Sequence, residues 1–198
     1  MKLELYYDPD GECPNDWGTW KLVSFNNRHI NYEDPYKYIA KVDDCGEVIG
    51  ANVGIRRKLQ YGTAFILSYY EHGSGHWSLK GEGTNCPWDT SQYGGILIWV
   101  GGKKYMPHPN KRAEFARQFL EFYNDWANGQ IFGFSIEEEG EGEESESHGG
   151  WFGHDLDSMF EAIQFYTKGK KEEDIEVTGD AKDLVAYHDI ISKNQKAA

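Results

Sequence analysis

Two uncharged apolar runs constrain this chain more than anything else in it: residues 63–70, Thr-Ala-Phe-Ile-Leu-Ser-Tyr-Tyr, and residues 95–100, Gly-Ile-Leu-Ile-Trp-Val. Their aromatic and β-branched content suits a pleated sheet, and continuous apolarity over so few residues marks central strands. The first run ends in Glu71-His72-Gly73-Ser74-Gly75 and the second in Gly101-Gly102, glycine-rich segments that read as turns. A short strand over residues 76–80 lies between them, so the three segments predict an antiparallel meander.

Other elements follow from spacing and punctuation. Residues 3–7 alternate charged and apolar side chains and predict an opening strand, followed by a turn-rich stretch from Asp8 to Asp16. Asp34 can cap a helix with Pro35 in its first position, Tyr36, Ile39 and Ala40 on one face and Cys45-Gly46 as its stop. After Asn110 comes the clearest helix, with Phe115, Phe119, Phe122 and Trp126 at helical spacing before Asn128-Gly129 ends it. That stripe reads as core rather than as a cofactor box. Residues 131–136 and 147–152 predict two strands joined by an acidic loop, and Asp155 or Asp157 then caps a helix with Met159, Phe160, Ile163 and Tyr166 inward. The charged stretch 168–179 reads as a linker to a last helix capped by Asp180, with Leu184, Tyr187 and Ile191 on one face.

Together these elements predict an α+β fold: an antiparallel sheet of about five to six strands with helices packed on one side. A chain of 198 residues can bury a substantial core yet is short for two full domains. Residues 1–167 are therefore expected to form one domain, and residues 168–198 a charged linker and C-terminal helix packed on or appended to it. Hydrophobic residues make up only 39% of the chain, but the 15% that are aromatic supply large apolar area per side chain, so the chain is expected to fold.

Charge narrows the choice of partner. The formal net charge is −13, which argues against binding a phosphate backbone and so against direct nucleic-acid binding. Seven of the negative charges, Glu137, Glu138, Glu139, Glu141, Glu143, Glu144 and Glu146, fall within ten residues. Their mutual repulsion, with Gly140 and Gly142 between them, predicts an extended, mobile loop that could serve as an acidic interaction surface. Lys2, Glu4 and Asp8 interrupt any leader-like apolar run at the N-terminus, and no segment is long and uncharged enough to cross a membrane. Cys13, Cys45 and Cys86 are an odd number without paired spacing, as expected of reduced thiols in a cytoplasmic protein.

The densest block of unusual residues runs from 72 to 95. Tyr70-x-His72-Gly73 is followed by Cys86-Pro87-Trp88-Asp89-x-x-Gln92-x-Gly94 and then by a strand. This order resembles an uncharacterised family of phage, plasmid and integrative-element proteins. Asp8-Pro9 to Pro14-x-x-Trp17 is similar to that family's N-terminal stretch, and Gly133-Phe134 to Gly153 to its late hairpin. The longer glutamate-rich hairpin and the extra C-terminal segment depart from the pattern. The resemblance implies a small cytosolic α+β protein of phage or mobile-element origin, and it implies no activity, cofactor or catalytic residue.

Several chemistries were weighed on the block itself. As structure, Pro87 fixes φ, Asp89 hydrogen-bonds nearby amides and Trp88 anchors the turn. As a binding site, His72, Trp77, Trp88, Asp89 and Gln92 could grip a ligand, the indoles stacking and the polar groups reading donors and acceptors. A cysteine-hydrolase reading makes Cys86 the nucleophile and His72 or His76 its base, but Pro87 removes a backbone donor that often completes an oxyanion site. His72 and His76 have four-residue spacing, yet Gly73 and Gly75 oppose a helical ligand pair for zinc. Asp8, Asp10, Glu12 and Asp16 hint at calcium without the ligand order of a twelve-residue loop. Neither metal, cofactor nor catalytic residues are therefore expected. The functional expectation is a non-enzymatic phage or mobile-element accessory protein that binds a host component with a basic surface, such as one of antiviral defence, and inhibits it. The alternatives are a small-ligand or nucleotide-signal sponge, and a hydrolase with a dispersed site.

Overall fold

A computed structural model describes residues 1–39, 52–137 and 145–184. The fold is mixed α+β, with eight strands and three α-helices among the described residues. The strands divide into two sheets of four where one sheet of five to six was expected. The chain forms two compact units, residues 13–128 and residues 1–12 with those from 129 onward.

In the unit spanning residues 13–128, β2 (Trp20–Ser24), β3 (Ala64–His72), β4 (Ser74–Leu79) and β5 (Thr90–Trp99) form an antiparallel sheet in the order β2-β5-β3-β4. Both apolar runs are central strands, as their composition predicts. Strand alternation sends Trp20, Leu22, Leu67, Trp77, Leu79, Leu97 and Trp99 to one face, where they pack against Ala116, Phe119, Leu120 and Tyr123 of the 16-residue helix α2 (Arg112–Ala127). Val23, Ala64, Ile96 and Ile98 line the other face, beneath Tyr38 and beneath Ile55 and Leu59 of α1 (Val53–Gln60). The helix stripe is thus rotated from the expected one: Phe115 is half exposed, while Ala116 and Tyr123 are buried. An amphipathic helix turns its most complementary side to the sheet it meets, and periodicity alone does not fix that phase within a residue or two.

Other differences are local. Strand β2 and helix α1 were not anticipated, although Asn52 caps α1 by accepting from the Gly54 N–H at 2.9 Å. Asp34 does cap as expected, accepting from the Tyr36 N–H at 2.9 Å, but the turn it starts is a 3₁₀ turn over Pro35–Lys37. Tyr38 and Ile39 follow it outside any helix, and the expected helix from Ala40 on lies outside the described residues. The glycine-rich turn after residue 70 is mostly ladder: His72 pairs with Ser74, and Gly73 alone turns the corner at φ +83°.

The other unit holds β1 (Lys2–Tyr7), β6 (Ile131–Glu137), β7 (Ser145–Phe152) and β8 (Glu176–Thr178) in the order β7-β6-β1-β8. Leu3, Leu5, Phe132, Phe134 and Ile136 pack against Met159 and Ile163 of α3 (Leu156–Thr167), and the expected Phe160 and Tyr166 join this core. The expected linker contains β8, which pairs with β1 in parallel. Asp180 Oδ1 accepts from the Tyr7 N–H at 3.0 Å, and the described residues after it form a 3₁₀ turn, Lys182–Leu184. The remainder of the expected C-terminal helix, including Tyr187 and Ile191, lies outside the described residues. No helix among those described is long and apolar enough to cross a membrane.

Candidate binding clefts

The structure gathers part of the residue 72–95 block around one carboxylate. Asp89 Oδ2 lies 3.4 Å from His72 Nδ1 and accepts from Cys86 Sγ at 3.4 Å. The turn before β5 is closed by the Thr90 N–H donating to the Cys86 carbonyl at 3.0 Å, and by the Cys86 N–H donating to Thr90 Oγ1 at 3.0 Å. Thr90 Oγ1 in turn donates to the Thr84 carbonyl at 3.0 Å. Gln92 accepts from Ser68 Oγ and donates to Asn85 Oδ1, which leaves its amide committed to the fold. Of the expected polar members of a ligand grip, His72 and Asp89 therefore meet each other and Gln92 is held by Ser68 and Asn85.

Trp88 departs from the expectation that it anchors this turn. It is 91% exposed, and the hydrogen bonds of Cys86, Asp89 and Thr90 do the anchoring instead. Trp77 is buried on the α2 face of the sheet. For the hydrolase reading, Cys86 donates to a carboxylate, and the imidazole of His72 meets that same oxygen. A nucleophilic thiol needs the imidazole as its own proton acceptor, and this arrangement interposes Asp89. His76 belongs to β4, opposite Tyr70.

For the calcium reading, Asp8 Oδ1 accepts from the Asp10 N–H at 3.1 Å and Oδ2 from the Gly150 N–H at 2.8 Å, so its carboxylate braces backbone. Among the described residues no group of three or more His, Cys, Asp or Glu side chains is placed to hold a metal ion. Of the acidic run, Glu137 ends β6 with its Oε2 3.9 Å from Lys2 Nζ, and Glu146 in β7 lies 3.6 Å from His148 Nε2. Glu138, Glu139, Glu141, Glu143 and Glu144 lie outside the described residues.

Two clefts lie beside Tyr69 on β3. One cleft of about 390 Å³ is walled by Tyr69, Trp77, Tyr123 and Trp126, with His29, Glu71 and Asn31 as polar neighbours and Asn128, its amide bound to the Gly75 backbone, at its edge. Sheet alternation puts Tyr69 and Glu71 on the same face, and β4 brings Trp77 opposite Tyr69. Helix α2 contributes Tyr123 and Trp126, three residues apart on one side of its last turn. The rings pair off, Tyr69 with Trp77 at 4.5 Å between centroids and Tyr123 with Trp126 at 5.5 Å. The other cleft, of about 680 Å³, lies between residues 25–36 and β5 and includes Phe25, Tyr32, Asp34, Tyr36 and Tyr93 beside Tyr69.

His29 is fixed at the first cleft by its Nδ1, 2.7 Å from Ser24 Oγ, and by edge contacts with Tyr69 at 4.7 Å and Trp77 at 5.6 Å. Burial lowers its pKa below the ordinary 6.5, with Glu71 opposing the shift in part, so the ring is neutral at pH 7. Burial likewise raises the phenols of Tyr69 and Tyr123, which stay protonated as hydrogen-bond donors. Aromatic walls with a few convergent polar groups, at this volume, are the usual make-up of a small-ligand site.

Of the residues singled out from sequence as site residues, only Trp77 lines this cleft. His29, Tyr69, Glu71, Tyr123 and Trp126 come from a loop, two strand positions and a helix face. The sequence signal available was the alternation Tyr69-x-Glu71, a polar residue ending an aromatic strand face, and it gains meaning only once the strand is paired. Compared with family models, with curated proteins and with solved structures, the chain matches none of them.

Proposed function

We propose that this chain is a non-enzymatic binding protein whose recognition site is the aromatic cleft beside Tyr69. The observation that carries this reading is the pairing of two sheet aromatics, Tyr69 and Trp77, with two helix aromatics, Tyr123 and Trp126, around a space of about 390 Å³. The half-buried rings of Tyr69 and Trp126, over the buried Trp77 and Tyr123, give a planar or rounded organic group its contact area, while Glu71 and the unprotonated His29 orient it. Cys86, Asp89, Thr90 and Gln92 of the 72–95 block are hydrogen-bonded within the fold, which favours binding over a thiol-based catalysis there. Native mass spectrometry of the purified protein, followed by release of bound small molecules on denaturation, tests the reading. Tryptophan fluorescence then reports rebinding, and Trp126→Leu should weaken it without lowering the melting temperature by more than a few degrees. Rebinding unchanged in that variant sinks the assignment of the cleft.

A second reading rests on Trp88. An indole 91% exposed, on a turn tied by hydrogen bonds, is a pre-ordered anchor of the kind that dominates protein interfaces. With a net charge of −13, the surface suits a basic partner, in keeping with an inhibitor of a host component encoded by a phage or mobile element. Trp88→Ala separates the readings, since it should abolish capture of such a partner and leave small-ligand binding in the cleft untouched.

A further inference from the structure

Building on the ligand-binding reading of the Tyr69 cleft, we infer that its ligand is an organic cation, an alkylated ammonium or a guanidinium group, rather than a nucleotide or other anion. Tyr69 and Trp126 line the space as half-buried rings with Trp77 and Tyr123 buried behind them, and an ammonium or guanidinium within reach of aromatic faces is attracted by their quadrupoles. Glu71 stands at the same cleft and supplies a carboxylate. No lysine or arginine lines it.

The backbone adds to this bias. Trp126, Ala127 and Asn128 bring the C-terminal end of α2 to the cleft, and the last turn of that helix holds no basic residue. A 16-residue helix carries about half a negative charge at its C-terminus, where carbonyls converge and cations are favoured. A phosphate placed there would face the carboxylate of Glu71 and the negative end of the helix. It would find neither a guanidinium fork nor a helix N-terminus to receive it. A cation meets complementary charge from Glu71, from the helix end and from the aromatic faces at once.

The neighbouring cleft repeats the composition. Tyr32, Tyr36, Tyr69 and Tyr93 accompany Asp34 without a lysine or arginine in the lining, and Lys80 Nζ, 3.9 Å from the Tyr93 ring centroid, already places a cation on one of these rings. Tyr69 is common to both clefts.

The test uses the full chain and three probes of similar size: an acetylated trimethyllysine amide, its neutral tert-butyl isostere, and a nucleoside monophosphate. Tryptophan fluorescence gives affinity, and the indole N–H resonances of Trp77 and Trp126 report location. The cation is expected to bind and to shift both resonances, the neutral isostere to bind about tenfold more weakly or less, and the nucleotide to leave the resonances unmoved. Glu71→Gln, at an exposed position, should weaken the cation about tenfold and leave the melting temperature unchanged. Binding of the neutral or anionic probe at these indoles as tightly as the cation overturns the charge assignment while the cleft survives as a ligand site. If none of the three probes moves either indole resonance, the cation assignment and the ligand-binding reading both fall.

Discussion

The side chain of Asn124 occupies both outward backbone groups of Trp77: its Oδ1 accepts from the Trp77 N–H at 2.8 Å and its Nδ2 donates to the Trp77 carbonyl at 3.0 Å. One helical turn on, Asn128 does the same for Gly75, at 3.0 Å and 2.8 Å. At the opposite edge of the sheet Asn15 pairs with Leu22 in the same manner, at 2.7 Å and 3.0 Å. A primary amide has the donor and acceptor of a peptide unit, so three asparagines stand in for neighbouring strands and close edges that would otherwise recruit another chain. The same contacts fix β4 against α2 and thereby set the walls of the Tyr69 cleft.

Replacing Asn124 with alanine should therefore cost about 2–4 kcal/mol, because two buried backbone groups lose their partners at roughly 1–3 kcal/mol each. Asn128→Ala, at a half-buried site, should cost less. Urea denaturation measures both, and light scattering should show the Asn124 variant self-associating through the opened edge. A loss below about 1 kcal/mol for Asn124→Ala would mean that the amide does not hold this edge.

Two tryptophans of the same sequence block should respond in opposite ways. Trp77 is 3% exposed within the core, so Trp77→Ala should lower stability by about 3–5 kcal/mol. Trp88 is 91% exposed, and Trp88→Ala should change stability by less than about 0.5 kcal/mol. Thermal unfolding of the two variants under one buffer condition is sufficient. Equal losses would show that Trp88 is packed in solution.

Glu33 and Tyr38 give the stability a defined pH dependence. The hydrogen bond from Lys21 at 2.9 Å, helped by Tyr38 and Lys37, holds the Glu33 carboxyl below its ordinary value of 4.5. A lowered acid favours the folded state above pH 4.5, and that contribution is lost as pH falls through the folded value. Tyr38 moves the other way: burial first, then its hydrogen bond to Glu33, push the phenol up to about 12 from 10.0. Its contribution is complete below pH 10 and is lost as pH rises toward about 12. Melting temperatures of the wild type and of Tyr38→Phe from pH 8 to 12 should converge as pH rises. A constant difference between them would show that the phenol does not titrate differently in the folded state.

Strands β6 and β7 remain paired up to Glu137 and Ser145, so the connection between these two residues can be shortened without touching the ladder. Replacing residues 138–144 with a short Gly-Ser turn should change stability by no more than about 1 kcal/mol, since closure entropy varies slowly with loop length. If a basic partner is bound, the change should slow association and flatten its salt dependence, because diffuse charge steers encounter more than it holds a complex. Association and dissociation rates at two salt concentrations distinguish this from the alternative. A large rise in dissociation rate would mean that these glutamates make fixed contacts.

The elements legible in the sequence are those whose signal is local. Residues 63–70 and 95–100 are apolar enough to be buried wherever they pair, and the aromatic period after Asn110 demands a helix whatever it meets. Capping by Asp34 needs only its own next two residues, and it is present. The phase of α2 was not local: whether Phe115 or Ala116 turns inward depends on the large rings of Trp20, Trp77 and Trp99 on the sheet face it covers, where a small side chain is needed. Strand β8 was not local either, because a polar tripeptide becomes a strand only by pairing with Lys2, Leu3 and Glu4, more than 170 residues away in the chain. Nor could spacing tell that Trp88 projects while Trp77 is buried, since both sit among polar and glycine residues. Sequence alone determined the fold class, the central strands and the acidic balance, all set by side-chain chemistry summed over neighbours. Only tertiary structure decided the cleft, because His29, Glu71, Tyr123 and Trp126 become one site solely through the pairing of β3 with β4 and the asparagine bonds that seat α2 on the edge strand.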